Sequence, residues 1–537
     1  MNFKRTISYL FFIVLFFMLS LGISSCGDST SLDLFKSDFV DVASFQSKSS
    51  QRFHPINDKD SAFISRNLKD MPFNVNYTYQ LREHLPVWID KRGLKKGTKE
   101  ILNRVAQLED EGIHITDEKN RIAVLLRKLE NEQGIDVDSL LDWDRTLTGL
   151  YLAVARELLL GRDFDHIDDQ WFVENDSVFF APHYLAGWDS DSFPSFDTFR
   201  SDIPEYAMIL EEIKFWKALT QDQQYISVKN NFNADSSLMF LIDKECRGYD
   251  NGADTLPADP DKIAAYQELF GLKKSGKLDE FTTLMLQTKP EDHIRTLQVN
   301  LNRLRRLPRD LGPHYVWVNI PLMELDYFRD KKQRFHSRVI VGKTARPTPS
   351  ISSPMTNIVF NPPWGVPPTI LKNDVGPGVA RRGGSYLAGK GLRAYDSRGR
   401  DVTHLVNGSN YRKYTISQPP GARNALGEIK FNMPNREAIY IHDTPNRGQF
   451  ASNYRALSSG CVRAENPRQL AELILGTDSF SLSNIDHIIS TRKTRSKNLD
   501  QKIPVYIIYL TVAPNTKGSG IRYLPDIYGR DKKMLKS

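Results

Sequence analysis

Ile439-Tyr440-Ile441-His442-Asp443-Thr444 puts a histidine at the end of an apolar run, and Leu457-Ser458-Ser459-Gly460-Cys461-Val462-Arg463 puts a cysteine after a glycine nineteen residues later. A free thiol of pKa about 8.5 is only a few per cent thiolate at neutral pH. A histidine within hydrogen-bond reach changes that, either as a general base or by forming a thiolate–imidazolium pair. Gly460 lets the backbone turn sharply, so that the amides around Gly460 and Cys461 can face a developing oxyanion. Arg463, two residues on, offers a fixed positive fork for a carboxylate or a phosphate. A Cys–His pair at this distance does not by itself tell a nucleophile from a buried, inert thiol. The chain has three cysteines, Cys26, Cys246 and Cys461, too scattered for a metal-binding CxxC spacing. Cys246 is the internal disulfide candidate and lies far off in an acidic helical region. The other histidines are dispersed without ligand spacing, with His336 and His404 read as surface or structural residues. Nucleophile and base suffice, so no metal or cofactor is expected.

The local string resembles the active-site motif of the L,D-transpeptidases (the YkuD family), a histidine followed at some distance by Ser/Thr-His-Gly-Cys-x-Asn/Arg. Fifteen residues separate His442 from Ser458, within that family's range. The resemblance extends to Tyr315–Asn319, Arg338–Lys343, Asn361–Pro368, Gln418–Gly421, Asn424–Phe431 and Asp526–Asp531, which look like the large periplasmic branch. One position departs: the common motif has a histidine before Gly-Cys, where this chain has Ser459. That branch tolerates serine there, which implies that Ser459 tunes the site and leaves His442 as the histidine candidate for the base.

The resemblance implies a multidomain α+β chain. It would have an N-terminal helical scaffold, a small helical peptidoglycan-binding-like module and a mainly-β catalytic domain with a capping insertion. The expected segments are a lipoprotein signal peptide (1–25), a flexible tether (26–65), the scaffold (66–235), the module (236–290), a connecting helix (291–311) and the catalytic domain (312–537), with 371–410 as a capping loop. Residue patterns agree where they are informative. Apolar residues three and four apart mark helices over Glu100–Leu108, Ile122–Leu129, Leu140–Leu160 and Tyr206–Leu219. Asp261–Phe270 and Glu280–Leu286 read as short helices around a tight turn, resembling the binding module; the competing reading is a plain helical hairpin. Glu291–Arg306 reads as a helix ended by Leu307-Pro308. From Tyr315 the period changes to two, with strands over His314–Tyr327, Phe335–Val341, Ile358–Phe360, Ala438–His442 and Val505–Val512. Residues 371–400 interrupt this with seven glycines and with Arg381, Arg382 and Arg393. That reads as a mobile functional loop, or else as disorder.

Composition bounds the rest. In 537 residues, 40% hydrophobic and 26% charged, the chain is neither wholly disordered nor a multi-pass membrane protein. The formal charge of +7 permits an anionic surface but, without a basic tract interleaved with aromatics, does not point to nucleic acid. Lys4 and Arg5, an apolar Ile7–Ile23 and small residues form a secretory signal. Ile23-Ser24-Ser25-Cys26 resembles a bacterial lipobox, which implies lipidation at Cys26 and a membrane-tethered protein facing the periplasm; the alternatives are an uncleaved anchor and ordinary secretion.

The resemblance also implies roles. Cys461 attacks the carbonyl of the third residue of a peptidoglycan tetrapeptide stem, His442 moves the proton, and backbone near Gly460 holds the oxyanion. Arg463 binds a donor carboxylate, Tyr440 shapes the pocket wall and Ser459 adjoins the substrate. A neighbouring stem's amine then resolves the thioester into a 3→3 cross-link. Resolution by water would make the protein an L,D-carboxypeptidase with the same residues. The remaining rivals are a non-catalytic wall-binding lipoprotein, with glycan and stem peptides as partners, and a cysteine peptidase of another fold.

Overall fold

The computed structural model describes residues 72–90, 93–113, 137–162, 180–189, 192–232, 234–246, 259–516 and 520–536. The signal peptide, Cys26, the tether and the helix expected over Ile122–Leu129 lie outside the described residues. The chain divides into two compact units, the first made of residues up to 109 with 114–155 and 179–196, the second of 110–113, 156–178 and 197 onward.

The first unit is helical, with Phe73–Leu81, Ile101–Leu108, Phe180–Ala186 and the start of Val137–Leu160, plus a small hairpin of β1 (Ile89–Asp90) and β2 (Gly93–Leu94). Tyr79, Trp88, Trp143, Leu147 and Tyr151 form its buried centre. One carboxylate lies among them. Asp144 accepts hydrogen bonds from the Tyr79 hydroxyl (2.5 Å) and from the amides of Val87 (3.0 Å) and Trp88 (2.6 Å). These bonds compensate a group that burial otherwise penalises.

The second unit opens with helices Pro204–Leu219, Gln223–Asn230, Ala234–Glu245, Pro260–Leu269, Glu280–Gln287 and Pro290–Arg305. Asp259 and Asp279 cap two of them through their side chains. The turn between those two is held by Gln267. Its Oε1 accepts from the amides of Ser275 (2.7 Å) and Gly276 (3.0 Å), and its Nε2 donates to the Lys277 carbonyl (2.8 Å). One apolar core runs from Tyr206 and Trp216 through Ile242, Tyr266 and Leu297 to Trp317, Tyr506 and Ile508 of the following sheet. The boundaries expected at 235/236, 290/291 and 311/312 therefore fall inside a single packed unit. No break in packing accompanies them.

The sheet strands are β3 (His314–Asn319), β4 (Glu324–Arg329), β5 (Lys332–Gly342) and β6 (Ile351–Phe360). After the insertion strands β7 (Trp364–Gly365), β8 (Arg393–Tyr395) and β9 (Thr415–Gln418) come β10 (Ile429–Asn432), β11 (Ile441–His442), β12 (Ala456–Ser458), β13 (Val462–Ala464) and β14 (Arg495–Ile508). The order β5-β13-β11-β10-β6-β14-β3-β4 closes on itself because β4 also pairs with β5, and β12 continues along the edge of β5 that β4 occupies, opposite β13. The result is a barrel without free edges. Period-two alternation fills it with Val316, Val318, Val339, Val341, Ile358, Phe431, Ile441, Val462, Val505 and Ile507. The stretch His314–Tyr327, expected as one strand, is a hairpin that turns at Ile320–Met323. The strand expected over Ala438–His442 is only Ile441–His442, because Ala438 takes a left-handed φ of 54°.

The segment expected as a glycine-rich loop is a folded insertion. Helices Gly376–Arg382 and Gly384–Gly389 pack with the small sheet β7-β9-β8 around Val379, Leu387, Leu392, Ala394, Val406 and Ile416. Several of its glycines serve close packing: a Cβ on Gly378 would lie 2.2 Å from the Tyr386 ring. Asn424 ties down its base, donating to the carbonyls of Pro362 (3.1 Å) and Gln418 (3.1 Å).

Candidate active site

Because Phe431, Ile441 and Val462 fill the barrel, the residues on either side of them must face outward. The register aligns Lys430 with His442, and His442 with Arg463, in one row across β10, β11 and β13. A step further along, the Val462 N–H donates to the Tyr440 carbonyl at 3.1 Å, which sets Cys461 beside Tyr440. Cys461 and His442 are thus diagonal neighbours on the same face.

The turn carrying the sulfur is fastened from three sides. Ser458 Oγ accepts the Gly460 N–H (3.1 Å) and donates to the Cys461 carbonyl (2.6 Å). Thr348 Oγ1 donates to the Gly460 carbonyl at 2.7 Å and accepts from the Gly342 N–H at 2.8 Å. Gly460 takes φ 118°, a conformation that a side chain rarely adopts. Among the described residues the Cys461 N–H has no hydrogen-bond partner, whereas the Gly460 N–H is committed to Ser458. The free oxyanion donor in this turn is therefore Cys461's own amide, and the expected Gly460 amide is not available.

The thiol is half-buried and donates to the Ala438 carbonyl at 3.9 Å, beside the Tyr440 side chain. Burial pushes its pKa up, against the pull of Tyr440, Lys430 and Arg463. His442 is 5% exposed, its Nδ1 is buried without a partner, and its ring stands 5.5 Å from that of Tyr440. Burial, then the Arg463 charge, pushes its pKa down to about 3. Of the two resting states open from sequence, thiol plus neutral imidazole is the one that these surroundings favour. The expected Cys461–His442 hydrogen bond is not made here; the thiol donates to the Ala438 carbonyl instead. Catalytic bonds often tighten only when substrate binds.

The insertion reaches this site at two points. The Trp364 side chain lies beside that of Tyr440, and Arg346 pairs with Asp374 of the insertion (3.0 Å) while donating to Ser459 Oγ at 3.1 Å. Next to His442, the Asp443 carboxylate accepts the Glu428 N–H (2.9 Å) and pairs with Arg447 (2.9 Å), fixing the loop into β10.

Residues 313–507, the barrel and its insertion, match the family model of the L,D-transpeptidase catalytic domain, YkuD. This stretch is therefore similar to the YkuD catalytic domain. Residues 74–212 match a separate Scaffold domain. A Haemophilus influenzae protein named "Putative L,D-transpeptidase" is 36% identical over 256 residues, 47% of this chain and 51% of that protein. The chain thus spans about half the length of the curated relative it matches.

Within residues 313–507, the structure brings Cys461, His442, Gly460, Arg463, Tyr440 and Ser459 together on and just before β11, on β13 and in the turn that precedes β13. Cys246, the disulfide candidate, is a free thiol buried in the helical core, with its pKa pushed up to about 12. His336 pairs with Asp326 at 2.8 Å, away from this row. Sequence reasoning missed Lys430, Ser458, Thr348, Arg346 and Trp364. Lys430 lies within the string Asn424–Phe431 that carried part of the resemblance. Only the strand register shows that it stands beside His442.

Proposed function

We propose that the chain is a cysteine-dependent L,D-transpeptidase acting on peptidoglycan tetrapeptide stems. The observation that supports this most is the outward row Lys430–His442–Arg463 beside a thiol whose own amide is free. In this reading Arg463 takes the donor's terminal carboxylate, which screens the charge that helps to hold His442 neutral. His442 then accepts the thiol proton as Cys461 Sγ bonds to the carbonyl carbon of the third stem residue. The oxyanion lies against the Cys461 N–H. Collapse breaks the bond to the terminal D-alanine, whose amine leaves with the proton from His442. A thioester remains. The side-chain amine of a second stem attacks it, gives up a proton and restores the thiol, leaving a 3→3 cross-link. The insertion Trp364–Gln418 covers the thioester and keeps water out. Attack by water instead would make the same site an L,D-carboxypeptidase. The helical scaffold and the hairpin Pro260–Gln287 carry the domain along the wall, and a lipid on Cys26 tethers it to the membrane.

Intact-mass spectrometry of the protein mixed with a tetrapeptide stem tests this. An adduct equal to the stem minus D-alanine, absent from Cys461→Ala, is expected. An unmodified protein under conditions where the stem is consumed would contradict the thioester.

A further inference from the structure

Two cations flank His442, and no carboxylate of the described chain answers either. Lys430 lies across from His442 on β10, its Nζ 4.1 Å from the Tyr440 ring centroid, and it makes no ion pair among the described residues. Arg463 lies across from His442 on β13. It donates to the neutral Gln449 Oε1 at 3.2 Å, and its Nε is buried without a partner. The carboxylates nearest in the fold are already committed, Glu428 to Arg468 and Asp443 to Arg447. Burial pulls both cations' pKa values down, the sign of charges held away from water. Such a pair is costly unless an anion completes it. Their strands lie two apart in the sheet, about 10 Å between backbones, with His442 between them. One head sits over Tyr440 and the other on Gln449, so each presents an anion position of its own.

We propose that Lys430 binds a second carboxylate of the acyl donor, distinct from the terminal one taken by Arg463, and that this contact selects donors whose third residue carries a side-chain carboxylate. This rests on the transpeptidase reading, and the test separates the two. Calorimetry on the full-length Cys461→Ala protein compares two tetrapeptide stems that are alike except that the second carboxylate is free in one and amidated in the other. The free form is expected to bind at least tenfold more tightly. Adding Lys430→Met should remove that preference, weakening the free form at least tenfold more than the amidated one, and Lys430→Arg should keep it. A preference that survives Lys430→Met, an equal loss on both stems, or no binding of either stem overturns the proposal. If the wild-type protein turns over neither stem while the binding preference is present, the transpeptidase reading fails and the role of Lys430 stands.

Discussion

Cys461 keeps its proton at rest and His442 has none to give, so the first step waits for substrate. That has a measurable consequence. With its pKa pushed down to about 3, His442 stays in the base form as pH falls from 8 to 5. The acid limb of kcat/KM should therefore lie below pH 5; an ordinary histidine near 6.5 would already cost about 30-fold at pH 5. A limb near pH 6.5 would place His442 outside the role given to it. Gly460 is the second residue whose geometry is demanding. Gly460→Ala puts a side chain at φ 118°, with its Cβ 3.3 Å from Ile439 Cδ1, at a cost of about 1–3 kcal/mol. Its denaturation midpoint should fall, and kcat should drop at least tenfold as the sulfur shifts. A variant with wild-type kcat would show that the turn does not set the nucleophile.

The strands explain which site residues could be read in advance. Cys461, Gly460 and His442 announce themselves by type and spacing. Lys430 is an ordinary lysine in a strand until the pairing of β10 with β11 sets it beside His442. Strand boundaries were less legible than strand existence, because a left-handed Ala438 and a four-residue turn at Ile320–Met323 leave little trace in period-two patterning. The insertion was misjudged for a related reason. Glycines that permit close helix packing have the same composition as glycines that permit motion. Its tie to the site, Arg346 between Asp374 and Ser459, is partly exposed and contributes little to stability. Asp374→Asn should thus unfold within about 1 kcal/mol of wild type, yet raise the ratio of hydrolysed to transferred product by loosening the cover over the thioester. An unchanged ratio would remove this contact from the control of water.

At the scale of the molecule, the helices from Pro204 onward and the outer face of the barrel share one core, which sequence segmentation divided into four. Domain boundaries follow packing, and a module recognised by its turn need not fold apart from its neighbours. That shared core holds His293, stacked on Trp216 at 4.2 Å between ring centroids and pushed down to about pKa 3 by burial. Below pH 6.5 the unfolded chain takes up a proton that the folded chain refuses, so stability is full above that pH and falls as pH drops toward 3. Each such histidine contributes about 1.4 kcal/mol per pH unit. His293→Phe should flatten the stability–pH curve between 6 and 4 by about that slope; parallel curves would show that His293 takes its proton while folded.

Acyl transfer from Cys461 is tested by incubating the full-length chain with disaccharide-tetrapeptide and reading the products by mass spectrometry. A cross-linked dimer formed with loss of one D-alanine, and absent with Cys461→Ala, is expected. Tripeptide alone would turn the same chemistry to hydrolysis, and unchanged tetrapeptide with a folded protein would contradict it.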